Sequence, residues 1–146
     1  MSCLFSKIFE NFKVSNGERV CRNILEKMGK ICFPEYTPDK PPNTYYDMYF
    51  KHNESHVFLE FDGGQHFVFS NYYNDEEDFI KCQGSDNIKT KFAVDNGYLL
   101  IQIHHNEINN SEYHINEALK YPDGIYLSNP EKYNHLNEFK EHFINL

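Results

Sequence analysis

The run Val57-Phe58-Leu59-Glu60-Phe61-Asp62-Gly63-Gly64-Gln65-His66 constrains this chain more than any other segment. An apolar, β-prone stretch carries carboxylates, stops at two glycines and then presents a histidine. Strand side chains alternate between two faces, so Glu60 and Asp62 point one way and Phe61 points the other, toward a core. Glycine tolerates positive φ, so Gly63 and Gly64 let the backbone leave a sheet sharply.

The elements on either side predict how this strand is placed. Thr44–Lys51 reads as a strand, His52-Asn53-Glu54-Ser55 as a turn and His56–Phe61 as a second strand, which together make an antiparallel hairpin. In Tyr45-Tyr46-Asp47-Met48-Tyr49, Tyr46 and Met48 are expected on one face and Asp47 on the other. If the hairpin pairs this way, Asp47 and Glu60 converge.

Upstream, Val20, Ile24, Leu25 and Met28 have helical spacing. Ser15 or Asn16 is placed to cap that helix and Gly29 to end it, with Glu18 in its first turn. Residues 2–13 predict a shorter helix, and Pro34, Pro38, Pro41 and Pro42 an irregular connector. Downstream, Ser70–Asn74 reads as loop and Ser85–Asn96 as a helix with Asp86 near its start. Tyr98–Ile103 reads as a buried strand. A helix at Ser111–Leu119 with Ser111 as N-cap, a short strand at Ile125–Leu127 and a closing helix at Pro130–Ile144 complete the order. The expected fold is a single α/β domain over 1–146. A mixed central sheet begins with an antiparallel hairpin and is flanked by helices. Its core spans 17–108, and 109–146 add helices and a short strand.

A chain of 146 residues can bury a real core. Its net charge of −8 argues against strong nonspecific affinity for nucleic acid. The charge is uneven. Through Lys51 there are eight Lys/Arg against six Asp/Glu, and beyond it six against sixteen. Cys3, Cys21, Cys32 and Cys82 form no C-x-x-C pair, so no structural zinc is expected and a reducing, intracellular setting (cytoplasm or nucleus) fits. No signal-peptide core is evident, and no run approaches the roughly 18 apolar residues of a membrane span. Frequent Asn, Lys, Ile, Tyr and Phe match AT-rich codons, as in many viral or mobile-element genomes.

Asp47 and Glu60, if convergent, form a hard-oxygen site suited to Mg²⁺ or Mn²⁺. Such an ion polarises a phosphoryl oxygen and acidifies bound water. His66 is placed to take that water's proton, Asp86 to hold the other ring nitrogen, and Glu18 to support the site. Bland alternatives stay open. Asp62-Gly63-Gly64 alone reads equally as a hairpin turn. Glu18 and Asp86 read as acids favoured at helix starts. Lys89 and Lys91 suit phosphate contacts or a solvated helix face, and Tyr72 and Tyr73 suit base stacking. Asp75-Glu76-Glu77-Asp78 reads as a solvated acidic loop. His52 and His56 are expected to be exposed. His104 and His105, adjacent on a strand, should face apart and share no ion.

In this order Glu18, Asp47, Glu60, His66 and Asp86 resemble the E-D-x-H-D signature of one branch of the PD-(D/E)XK nuclease superfamily. That branch holds the very-short-patch-repair-like endonucleases and related homing endonucleases. The segment Leu59–His66, the run Asp86-Asn87-Ile88-Lys89-Thr90-Lys91-Phe92 and Asn96-Gly97-Tyr98-Leu99-Leu100-Ile101 are similar to the family's layout, and the likeness covers Gly17 to Ile108. It implies a restriction-endonuclease-like mixed sheet and divalent-metal-dependent cleavage of DNA. Asp47 and Glu60 would then be metal ligands, and Glu18, Asp47, Glu60, His66 and Asp86 the catalytic set. The superfamily's lysine would fall at Asp62, so His66 would take over its work. The zinc ligands of the repair enzymes are missing. Specificity would come from loops, a second subunit or a partner protein. A restriction-like, junction-resolving or RNA-directed nuclease, or a non-catalytic nucleic-acid-binding module, would use the same scaffold.

Overall fold

The computed structural model describes residues 16–33, 46–63 and 76–144. The expected helix at 2–13, the proline-rich connector, the loop at Ser70–Asn74 and the side chains of His66, Tyr72 and Tyr73 lie outside these.

The first helix, α1 (Asn16–Lys27), buries Gly17, Cys21 and Leu25 along one face. It ends at Gly29, which adopts φ +80°. The Lys30 N–H bonds the Leu25 carbonyl and the Gly29 N–H the Glu26 carbonyl, a glycine-terminated close that satisfies the last carbonyls. Strands β1 (Met48–His52) and β2 (Ser55–Asp62) form the antiparallel hairpin, with Met48 opposite Leu59 and His52 opposite Ser55. The two-residue turn places Asn53 at φ 55°, a left-handed conformation that Asn accepts.

Helix α2 (Glu76–Asp95) crosses over to β3 (Leu99–His104), which pairs parallel with β2. A 3-10 segment (His105–Asn110) leads into α3 (Ser111–Ala118), and β4 (Gly124–Leu127) pairs parallel with β3. The sheet is therefore mixed, with strand order β1-β2-β3-β4. Every residue of β3 is buried, as a central parallel strand covered on both faces requires.

One face of the sheet presents Met48, Phe50, Val57, Leu59, Leu99, Ile101 and Ile103 to Cys21 and Leu25 of α1 and Ile115 and Ala118 of α3. On the other face, Tyr46, Tyr49, Phe58 and Leu100 pack with Ala93 of α2. A third cluster joins Ile125 and Leu127 to Tyr133, Leu136 and Phe139 of the C-terminal segment. Tyr46 stacks on Phe58, with ring centroids 4.3 Å apart, and its hydroxyl donates to the Lys89 carbonyl at 2.7 Å. That contact ties α2 to the hairpin. Among the described residues, no helix is long and apolar enough to cross a membrane.

Several expectations are corrected. Strand β1 starts at Met48, because the chain bends at Asp47. Tyr46 and Met48 consequently lie in clusters on opposite faces rather than together. Helix α2 starts at Glu76, well before Ser85, and the acidic run Glu76-Glu77-Asp78 is its first turn rather than a loop. A helix N-terminus favours acidic residues. Ser111 is not the cap of α3. It is the first helical residue and donates to the Ile108 carbonyl at 2.7 Å. Pro130–Ile144 is not one helix but 3-10 turns at Pro130–Lys132 and Asn134–His142, broken at Tyr133. Phe143 then bridges to Ile125 in parallel.

The histidines also differ from expectation. His52 and His56 are half-buried. His52 Nδ1 lies 2.6 Å from Lys30 Nζ, and His56 bonds the Tyr49 hydroxyl and packs on Tyr98. His104 and His105 do not face apart. The strand ends at His104, the chain turns, and the two rings sit 4.3 Å apart.

Candidate active site

Strands β2, β3 and β4 run parallel, and their carboxyl ends carry a set of buried polar residues. Glu60 and Asp62 are joined there by Gln102 and His104, their register partners on β3, and by Ser128 just after β4. The His104 N–H donates to Ser128 Oγ at 2.7 Å. In open α/β sheets this is the end where ligands bind.

The hairpin delivers the first two acids. The bend at Asp47 turns its carboxylate across to β2, where Oδ2 accepts the Phe61 N–H at 2.7 Å. Its neighbour is Glu18 from the first turn of α1, which hydrogen-bonds and electrostatically couples to Asp47. Glu18 also pairs with Arg22, one turn on, at 3.6 Å. Glu60 is buried on β2, and its Oε1 lies 3.1 Å from Lys89 Nζ. Asp62 is buried where β2 ends, and its Oδ2 accepts the Tyr133 hydroxyl at 2.8 Å.

Helix α2 supplies the opposite wall. Asp86 and Lys89 are three residues apart and so share a helix face. Asp86 lies in the middle of α2, not at its start, so helix-dipole stabilisation does not account for it. Its Oδ2 lies 3.3 Å from His135 Nε2, contributed by the C-terminal segment.

Burial and mutual repulsion dominate the electrostatics. Burial pushes the Asp47 carboxyl well above the ordinary range, and the charges of Glu18 and Asp62 push the same way. The Phe61 N–H opposes them. Burial likewise raises Glu60, followed by the charge of Asp47, and Lys89 offsets part of this. Burial of Lys89 disfavours its charged form, but Glu60, Asp86 and Asp47 together outweigh that and raise its pKa. Burial and then Asp62 raise the Tyr133 phenol. The described carboxylates Glu18, Asp47, Glu60, Asp62 and Asp86 thus stand with the cations Lys89 and Arg22 among them.

That surplus of hard oxygen anions is chemically suited to a divalent cation. Among the described residues, no three His, Cys, Asp or Glu side chains form a ready-made ligand group. Mg²⁺ characteristically uses one or two carboxylates and fills the rest of its shell with water and substrate phosphate. Asp47 and Glu60 meet that requirement.

Three of the sequence-derived site residues, Glu18, Asp47 and Glu60, are therefore brought together, and Asp86 joins them through Lys89 and His135. Lys89 is part of the cluster rather than of a solvated helix face. Lys91 is not part of it; it is exposed and pairs with Asp95 at 2.6 Å. Sequence reasoning missed Asp62 as a site acid, although its alternation with Glu60 marked it. It also missed Tyr133 and His135, which meet their partners 71 and 49 residues away in the chain. No local pattern signals such contacts. No protein-family model matches this chain, and neither curated proteins nor solved structures yield a match.

Proposed function

We propose that this protein is a divalent-metal-dependent endonuclease that hydrolyses DNA phosphodiester bonds. Its sheet would be the restriction-endonuclease-like core of the PD-(D/E)XK superfamily, in the E-D-x-H-D branch of repair-like and homing endonucleases. What supports the reading is the gathering of acids at the carboxyl end of the parallel strands: Asp47 held by the Phe61 N–H at 2.7 Å, next to buried Glu60 and Asp62, with Glu18 beside Asp47.

Asp47 and Glu60 would hold Mg²⁺ or Mn²⁺. The bound ion would supply Lewis-acid polarisation of the phosphoryl group and a more acidic water. Glu18 orients Asp47 through their shared hydrogen bond. Lys89 holds Glu60 in place and adds positive charge where a phosphate's negative charge must be accommodated. His66, just past the Gly63-Gly64 pair in the sequence, is assigned as the general base, and Asp86 as a positioning residue. The partner is DNA, with specificity from loops, a second copy of the chain or another protein.

The test is cleavage of supercoiled plasmid, mismatched duplex, four-way junction and RNA with Mg²⁺ or Mn²⁺. The expected result is cutting of at least one DNA substrate by the wild type and its loss in D47N, E60Q and H66A, with the fold retained. Preference for the junction or RNA would assign a junction-resolving or RNA-directed role. Inactivity on every substrate with every metal would leave a nucleic-acid-binding module without catalysis. A fully active H66A protein would refute the assigned base.

A further inference from the structure

A cavity of about 740 Å³ lies at the sheet edge formed by β1, outside the acid cluster, and is lined by Gly29, Lys30, Ile31, Phe33, Tyr49 and Lys51. The chain leaving α1 makes it. Phe33 and Tyr49 exchange both backbone hydrogen bonds, at 2.8 and 2.9 Å, and so close the β1 edge at that point. Two residues on, Lys51 turns its N–H and C=O to the same edge. Ile31, two residues before Phe33, forms no bridge with it. The chain diverges from the strand there, and the gap is the cavity.

Its walls are of two kinds. Ile31 is 75% exposed and Phe33 46%, and the Tyr49 ring stands behind Phe33 with centroids 6.3 Å apart. The charges are those of Lys30 and Lys51. Among the described residues, no carboxylate pairs with either; Lys30 Nζ instead lies 2.6 Å from His52 Nδ1. Burial and then the charge of Lys30 hold that imidazole below its usual range, so the neutral ring accepts from the ammonium. Two positive charges therefore stand uncompensated by a described acid in a chain of net charge −8.

Apolar and aromatic walls, two ammoniums and an unpaired stretch of backbone fit a base that carries phosphate. A peptide adding itself as a strand would find one open edge residue, because Phe33 blocks the next. Tyr49 and Lys51 lie on the same sheet face as Phe58 and Glu60. By strand rise and spacing they stand about 8 and 14 Å from Glu60. Stacked nucleotides rise about 3.4 Å each, so about two to four of them cover that distance.

We propose that this cavity is a nucleotide site that grips the DNA strand a few nucleotides from the bond to be cut. A base packs on Ile31 and Phe33, and Lys30 and Lys51 take the phosphates. That the ligand is a DNA strand rests on the nuclease reading; the site itself rests on the cavity.

The experiment measures binding of a short fluorescent single-stranded DNA by anisotropy, in EDTA so that no strand is cut, to full-length wild type, K30Q/K51Q and F33L. Wild type should bind, with an affinity that falls as salt rises. K30Q/K51Q should lower the slope of log affinity against log salt by about 1.4, the value for two phosphates of a single strand. Gln at position 30 can still donate to His52, so this variant should keep the wild-type melting temperature. F33L keeps an apolar side chain but removes the ring, and should weaken binding about 5- to 150-fold. Wild-type behaviour of either variant, or no binding by wild type, would overturn the proposal. Displacement by an equal concentration of a mononucleotide would make this a free-nucleotide site and overturn the strand assignment; displacement by an acidic peptide instead would overturn the nucleotide. Binding as expected by a protein that cuts no substrate with any metal would leave the site standing and sink the nuclease reading, so the two failures are distinct.

Discussion

Lys89 Nζ and Glu60 Oε1 lie 3.1 Å apart with their side chains only 15% and 8% exposed, joining α2 to the carboxyl end of β2. Removing one partner of a buried pair strands the other charge, at a cost of about 3–5 kcal/mol. K89M is therefore expected to lower the urea midpoint sharply at neutral pH. The double variant E60Q/K89M should recover most of the loss, because no lone charge remains. A K89M protein with the wild-type midpoint would show that the pair does not form in solution.

Tyr133 anchors the C-terminal segment through its hydroxyl bond to Asp62. Y133F keeps the ring in its apolar cluster but leaves a buried carboxylate short of a donor, which costs about 1–3 kcal/mol. Thermal melting should show that loss in Y133F. Y133F combined with D62N should be less destabilised than the two single losses added together, since the two groups share one interaction.

The raised carboxyls of Asp47 and Glu60 imply a pH dependence of the metal-free protein. Between the unfolded carboxyl range near pH 4 and the raised folded values, the folded state binds more protons than the unfolded one. Stability contributed by these groups is therefore present at low pH and lost as pH rises through that window. In EDTA, D47N/E60Q should gain on wild type steadily from about pH 4 to neutrality. At neutral pH, excess Mg²⁺ or Mn²⁺ should raise the melting temperature of wild type and not of D47N/E60Q. A constant difference across pH would argue against the mutual repulsion described above.

Gly17 packs so closely under Phe61 that a Cβ there would fall 2.0 Å from the ring. G17A must displace Phe61, and overpacking of this kind costs about 1–3 kcal/mol. The Phe61 N–H holds Asp47, so the same change should weaken divalent-ion binding, measured by titration calorimetry. Adding F61L should restore part of both. An undisturbed G17A protein would mean that the helix and strand do not approach this closely.

Alternation and turn chemistry made much of this protein legible in the sequence. His56–Phe61 announced a strand, with Glu60 and the following Asp62 on one face, His52-Asn53-Glu54-Ser55 a turn and Tyr98–Ile103 a buried strand, because these depend on neighbours a few residues apart. The antiparallel pairing that carries Asp47 across to the Phe61 N–H followed from the same hairpin. The sequence did not reveal that α2 runs through Gly84 to begin at Glu76, because an interior glycine costs a helix roughly 1 kcal/mol and so reads locally as a break. Nor did it reveal that Lys89 turns inward, or that the last segment abandons a regular helix so that Tyr133 and His135 reach Asp62 and Asp86. Local backbone preference is written in short stretches of residues. Which charge meets which across the sheet depends on how the finished layers stack, and only the tertiary structure decided that.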